Sequence, residues 1–330
     1  MTRTATPYPY PAELIGHGGR VGVAARHFPA APSPWMDLST GVSPWWYPYD
    51  NQSQTDQKAL PDPEALLRLE AAAGLAFGTS DAAEVVAVPG SDIAIRLLPF
   101  ILGAQKVRYL APIYSGHRAA WPNSIPVTPG EAQDSDLLVL CNPNNPDGRI
   151  IPPDELRALP CQLIVDEAFA DALPECSLAP DRRGAILLRS FGKFFGLAGV
   201  RLGFVLADPP LARRLRAVVG DWPVSSAAIA IGTAAYQDLG WHREQRQRLN
   251  DASQRLHKLL RRAGLEIVGG TPLFRLARTT DAACLFRHLA QAGILTRPFS
   301  DDPSALRFGL PGEEAQWQRL EQALTHWSTA

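Results

Sequence analysis

Between residues 84 and 207 short apolar, β-branched runs alternate with helix-like segments, and this alternation restricts the chain to a layered α/β fold. Residues 84–88 predict a strand closed by Pro89-Gly90, after which 91–102 follows helical spacing. Further strands are predicted over 106–111, 136–141, 162–166, 185–190 and 202–207. These runs are apolar almost throughout, so the sheet is covered on both faces and mostly parallel. Open sheets of this kind bind ligands beyond the carboxyl ends of their strands. The polar residues of the region fall there.

After a predicted helix over 209–219 the pattern changes. A long amphipathic helix rich in Arg and Gln is expected over 239–263, followed by strands at 265–268 and 273–277, a helix at 282–291, strands at 293–297 and 305–308, and a helix from Glu313. The expected organisation is an N-terminal segment, 1–35, packing toward the small domain; a large domain, 36–220; and a smaller α+β domain, 221–330. A chain of 330 residues with 46% hydrophobic and 20% charged residues has the make-up of a soluble globular enzyme. Its net charge of −1 offers no electrostatic case for nucleic acid or an anionic membrane. No apolar run approaches the ~20 residues of a membrane span, and the N-terminus lacks a charged-then-apolar signal pattern. The four cysteines are scattered with no CxxC, as expected of reduced core residues in a cytoplasmic protein. The seven histidines show no ligand-like spacing with them, so no metal site is expected.

The most telling stretch is Ser190-Phe-Gly-Lys193-Phe-Phe-Gly-Leu-Ala-Gly-Val-Arg201. Lys58, Lys106 and Lys258 are the other lysines among 32 basic residues, so this chain uses Arg for ordinary surface charge. An ammonium between phenylalanines is costly to desolvate, which favours the neutral, nucleophilic amine that forms Schiff bases. Four more motifs suit the same chemistry. Gly90-Ser91-Asp92 opens a helix directly after a strand, where main-chain N–H groups bind phosphate, and Ser190 and Arg201 add a hydroxyl and a guanidinium. Asn145, in the rigid turn Asn142-Pro-Asn-Asn145-Pro-Asp-Gly148, can present its amide to a phenolate. Asp166 ends an apolar strand and needs a cationic partner, which a protonated pyridine nitrogen provides. Tyr114 follows another strand and can lie against an aromatic ring. Together they describe a pyridoxal 5'-phosphate site. Nucleotide folds do not compete: Gly16-His-Gly18-Gly19 fails GxGxxG, and GxxxxGK[ST] is absent.

From about residue 34 onward these motifs closely resemble the fold-type I aminotransferase superfamily of pyridoxal-phosphate enzymes. The N-terminal His17-Gly18-Gly19-Arg20 and Ser39-Thr40-Gly41-Val-Ser-Pro44 are similar to segments of the cobalamin-pathway threonine-phosphate decarboxylases, as are Gly293-Ile-Leu-Thr-Arg297-Pro298 and Leu306-Arg307-Phe-Gly-Leu-Pro-Gly312. The resemblance implies decarboxylation of O-phospho-L-threonine to (R)-1-amino-2-propanol phosphate and a homodimer. It assigns Arg307 to the substrate carboxylate and His17, Gly18 and Arg297 to the substrate phosphate, with Gly41 and Asn145 lining the substrate. Histidinol-phosphate aminotransferases form the neighbouring branch and the alternative activity; a non-catalytic pyridoxal-binding regulator is the second alternative. Two departures stand out: Phe169 replaces a Tyr that donates to the phenolate in many relatives, and Val42-Ser43 replaces Ile-Asn.

Overall fold

Seven apolar runs pair into one sheet in the computed structural model: Val85–Val88 (β1), Val107–Leu110 (β2), Ile125–Val127 (β3), Leu137–Cys141 (β4), Gln162–Asp166 (β5), Ile186–Ser190 (β6) and Gly203–Leu206 (β7). The structure describes residues 10–49, 58–79, 81–103 and 106–328, so the first nine residues of the expected N-terminal segment lie outside it. The strand order is β1-β7-β6-β5-β4-β2-β3. Only β7 runs against its neighbours, pairing antiparallel with both β1 and β6. This is the mostly parallel α/β sheet expected from the sequence, each predicted strand falling within a residue or two of its observed place. β3 was not foreseen. It carries Pro126 and lies at the sheet edge, the place where a missing N–H costs no ladder hydrogen bond.

On one face the Ser91–Leu102 helix packs Ala94, Ile95, Leu98 and Ile101 into a cluster with Val88 and Leu188, completed by Leu215 of the Pro209–Val219 helix. On β7 Phe204 meets Phe77, which in turn meets Tyr236, at centroid distances of 5.7 and 5.1 Å. Phe77 and Tyr236 come from helices Pro63–Phe77 and Ser226–Gln237, neither of which is predicted above. Both are rich in Ala, and a buried face of small residues contrasts weakly with its polar side. The capping signals were nevertheless present: Asp62 accepts from the N–H groups of Glu64 and Ala65, and Ser225 from that of Ala228.

The chain forms two compact units, Trp45–Leu249 and a second made of the residues before Trp45 with those from Asn250 on. From the sequence, breaks are expected after 35 and after 220. The observed divisions fall later because the Ser226–Gln237 helix packs on Pro63–Phe77, and because Met36–Asp37 pairs in parallel with Ile294–Leu295. The second unit contains an antiparallel sheet of Glu266–Thr271 (β8), Phe274–Arg278 (β9), Arg297–Pro298 (β10) and Ala305–Gly309 (β11), in the order β10-β11-β9-β8. Helices Ala282–Gln291 and Glu314–Ser328 pack on each other here. The predicted strand at 293–297 is split at Thr296, its two halves pairing with different partners. Tyr10 anchors the N-terminal residues in this unit, packing edge-on to Phe286 and donating to the Pro303 carbonyl at 2.7 Å. No helix among the described residues is long and apolar enough to cross a membrane.

Leu215 is fully buried in the helix–sheet cluster. Leu215→Ala is expected to cost about 2–5 kcal/mol, read as a lower denaturant midpoint at unchanged slope. A cost below about 1 kcal/mol would mean that this helix is not part of the cooperative core.

Candidate active site

The end of β1 turns sharply at Gly90, whose φ of +84° is one that an L side chain rarely adopts. A Cβ there would run into the Arg201 guanidinium, so the bare backbone lets Arg201 lie against the start of the Ser91–Leu102 helix. Arg201 is itself left-handed at φ +57° and donates to the Ala198 carbonyl at 3.2 Å. Gly203 pairs with Ser190 across β6 and β7, and a Cβ on it would lie 2.5 Å from the Ser91 nitrogen. The helix N-terminus, Ser91, Ser190 and Arg201 therefore gather around two glycines. N–H groups, hydroxyls and a guanidinium so arranged are of the kind that cradle a phosphate. The Asp92 carboxylate turns away to Arg96 at 2.9 Å, which leaves its main-chain N–H for the cradle.

Parallel pairing sets Cys141 beside Asp166 at the ends of β4 and β5. Asp166 is buried; its Oδ1 accepts from the Ala168 N–H and its Oδ2 lies 2.9 Å from His117 Nε2. His117 is absent from the residues singled out in the sequence. The one available signal was the need of a buried carboxylate for a partner, and His117 sits one helical turn beyond Tyr114, in Ser115–Ala120. The Cys141 thiol is pushed well above its ordinary pKa by burial and then by the charge of Asp166, and the main-chain N–H groups of Tyr114 and Asn145 point at it. That thiol, His117 and Asp166 bring three potential ligand atoms within 4.8 Å of one another. With His117 engaged on Oδ2, Asp166 presents a fixed carboxylate suited to a protonated ring nitrogen.

The three asparagines of the turn divide their work. Asn142 donates to the carbonyls of Ile151 and Cys176, and Asn144 to the Pro112 carbonyl and Asp147, so both build the loop. Asn145 is the half-buried one, where a ligand can reach. Tyr114 is also half-buried and packs edge-on to His117, with ring centroids 6.2 Å apart. Lys193 lies in the one-turn helix Phe191–Phe194, and its Nζ is 5.8 Å from the centre of the Phe169 ring. Phe191, Phe194 and Phe195 are fully buried, Phe195 stacking on Phe191 at 4.5 Å and on Trp241 at 5.5 Å. These aromatics hold the lysine turn rigid. The donor set of this unit fits pyridoxal phosphate: a cradle shaped by missing Cβ atoms, a buried carboxylate, an amide and an amine.

The residues assigned to substrate lie in the other unit. Arg297 and Arg307 are directly opposite each other on antiparallel β10 and β11, 7% and 6% exposed. Arg297 donates to the Gly16 carbonyl at 2.8 Å and Arg307 to that of Ser39 at 3.1 Å. Both guanidinium groups flank the Phe299 ring, and Arg307 also lies 4.8 Å from the centre of the Phe274 ring. The Arg contacts thus draw in the two segments flagged from the sequence, His17-Gly18 and Ser39-Thr40-Gly41. Gly18 approaches the Ser39 carbonyl too closely for any Cβ, and Gly19 donates its N–H to Ser39 Oγ at 2.8 Å. His17 is exposed and Gly41 buried. Like charges facing each other across a sheet repel.

Residues 127–324 match the family described as aminotransferase class I and II. The chain is 43% identical to a threonine-phosphate decarboxylase of Pseudomonas aeruginosa, with 94% of this chain and 97% of that protein aligned. It is 36% identical to a threonine-phosphate decarboxylase of Sinorhizobium sp, over the same shares of the two chains. Among solved structures it resembles the histidinol-phosphate aminotransferase of Sinorhizobium meliloti in complex with pyridoxal-5'-phosphate, with a TM-score of 0.80, 20% identity, and 100% of this chain and 98% of that one covered. That likeness is one of fold.

Gly90→Ala is expected to weaken pyridoxal phosphate binding to the apoprotein about tenfold or more, by straining the turn and displacing Arg201; fluorescence titration measures it, and unchanged affinity would place the phosphate elsewhere. His117→Ala leaves a buried carboxylate short of a partner and should cost the apoprotein about 1–3 kcal/mol in chemical denaturation. Wild-type stability in that variant would mean that Asp166 does not depend on the imidazole.

Proposed function

Because the chain belongs to the class I and II aminotransferase family, we propose that it is a pyridoxal-phosphate-dependent lyase that removes CO2 from O-phospho-L-threonine. The product is (R)-1-amino-2-propanol phosphate, and the place of the reaction is cobalamin biosynthesis. The observation that carries this reading is the buried, facing pair Arg297 and Arg307. Two guanidinium groups in register suit a substrate with two anionic groups, a carboxylate and a phosphate. The reading is supported by the names of the relatives that share 43% and 36% of their residues with this chain.

In this reading Lys193 holds the cofactor's aldehyde carbon through Nζ, and Ser91, Ser190, Arg201 and the N–H groups after Gly90 hold its phosphate. Bound there, pyridoxal phosphate supplies a ring that accepts the electron pair released when a bond at Cα breaks. Asp166, fixed by His117, keeps the ring nitrogen protonated. Asn145 donates to the phenolate oxygen and Tyr114 lies against the ring. Arg307 grips the substrate carboxylate, and Arg297, His17 and Gly18 take the phosphate, with Gly41 lining the substrate. Which bond at Cα breaks would be set by how the carboxylate and the phosphate are held, and a displacement of roughly 1 Å changes the answer. Once the substrate amine has taken its place on the aldehyde carbon, Lys193 or water would return a proton to Cα in place of the lost CO2. The protein works as a cytoplasmic homodimer in the same reading.

Purified protein supplied with pyridoxal phosphate and O-phospho-L-threonine should release one CO2 per amine phosphate formed. Transamination of histidinol phosphate with 2-oxoglutarate, with no CO2 from phosphothreonine, would replace this reading by its aminotransferase alternative. Lys193→Ala should abolish the borohydride-reducible adduct and the activity; a surviving adduct would remove Lys193 from its role. Arg307→Ala should lower kcat/KM about 10²-fold or more by loss of a charge-assisted contact, and a change below about threefold would place the carboxylate elsewhere. Sedimentation is expected to show a dimer, and an active monomer would contradict it.

A further inference from the structure

β5 ends in two consecutive carboxylates, and strand alternation sends them to opposite faces of the sheet. Asp166 faces His117. Glu167, fully buried, faces the other way and meets Arg189, the residue just before Ser190 at the end of β6. The ladder pairs Asp166 with Leu188, and the Glu167 N–H donates to the Leu188 carbonyl at 2.8 Å, so Glu167 and Arg189 fall opposite each other one step beyond it. Arg189 donates to Glu167 at 2.9 Å and to Ser177 Oγ at 3.1 Å, while its second arm bonds Asp171. Ser177 in turn donates to Glu167 at 2.6 Å, and the guanidinium lies 4.3 Å from the centre of the Phe77 ring.

A buried ion cluster of this kind adds little net stability over a well-packed apolar one, so its presence calls for another use. It is also incompletely satisfied: Asp171 Oδ2 and the Tyr236 hydroxyl are buried without hydrogen-bond partners. Its position suggests the use. Asp166-Glu167 and Arg189-Ser190 each place one residue toward the cradle and one in the cluster. A one-residue slip of β5 against β6 moves a strand end by about 3.3 Å, and would break the Arg189–Glu167 contact while Asp171 holds the other arm of the guanidinium.

We propose that Arg189, held between Glu167 and Asp171, is a positioning residue that locks the ends of β5 and β6 and so sets Asp166 relative to Ser190 and Lys193. This rests on the reading of Asp166 and Lys193 as cofactor ligands given above. The test compares holoenzymes of Glu167→Gln and Arg189→Lys with wild type and with Leu215→Ala, which removes a buried apolar side chain outside the Glu167–Arg189–Asp171 cluster. Glu167→Gln keeps the shape of the side chain and removes its charge; it carries the test alone if Arg189→Lys fails to fold. In the clamp variants kcat on O-phospho-L-threonine should fall about tenfold or more with KM within about twofold. The visible circular dichroism of the bound cofactor, which reads the tilt of its ring, should change in amplitude. Leu215→Ala should lower the melting temperature with both readouts at wild-type values. Wild-type kcat or wild-type visible dichroism in Glu167→Gln overturns the proposal and leaves the cluster a structural one. The underlying reading fails separately, if borohydride fixes the cofactor of the wild-type protein on a residue other than Lys193.

Discussion

A carboxylate buried at the end of an apolar strand must be met by a counter-charge or by hydrogen bonds, and β5 imposes that demand twice in succession. Asp166 meets it through His117 and the Ala168 N–H; Glu167 meets it through Arg189, Ser177 and the Leu178 N–H. The two sets lie on opposite faces of one strand end, so neither can shift without the other. Burial pushes the Glu167 carboxyl above its ordinary pKa, and Arg189 pulls it back. For Arg189, burial disfavours the charged form but the charges of Asp171 and Glu167 outweigh it, so its pKa is raised. The guanidinium stays charged between its two carboxylates.

The second unit handles charge differently. Arg297 and Arg307 face each other on neighbouring strands, supported by main-chain carbonyls and by the faces of Phe274 and Phe299. Aromatic faces attract guanidinium groups without neutralising them.

Much of this was legible along the chain because strand ends announce themselves. Near-continuous apolar runs stop at Val88, Cys141, Asp166 and Ser190; parallel pairing sets Cys141 beside Asp166, and antiparallel pairing with β7 brings the ends at Val88 and Ser190 to Gly203. Asn145 was legible only as one of three asparagines in a turn; the structure separates it by exposure, half-buried where Asn142 and Asn144 are buried. His117 and Arg189 were missed for one reason: each gains its role from a partner distant in sequence, Asp166 at 49 residues and Glu167 at 22. The Ala-rich helices Pro63–Phe77 and Ser226–Gln237 escaped because small buried residues give little periodic contrast.

The sequence by itself determined the parallel α/β sheet, the lysine set among phenylalanines and the donor types suited to pyridoxal phosphate, because local periodicity and residue chemistry are written directly in the chain. Only the tertiary structure decided which carboxylate receives the histidine, that Arg297 stands opposite Arg307, and that Glu167 and Arg189 tie β5 to β6. Those are matters of register between strands far apart in sequence, and register is settled by packing the whole sheet at once.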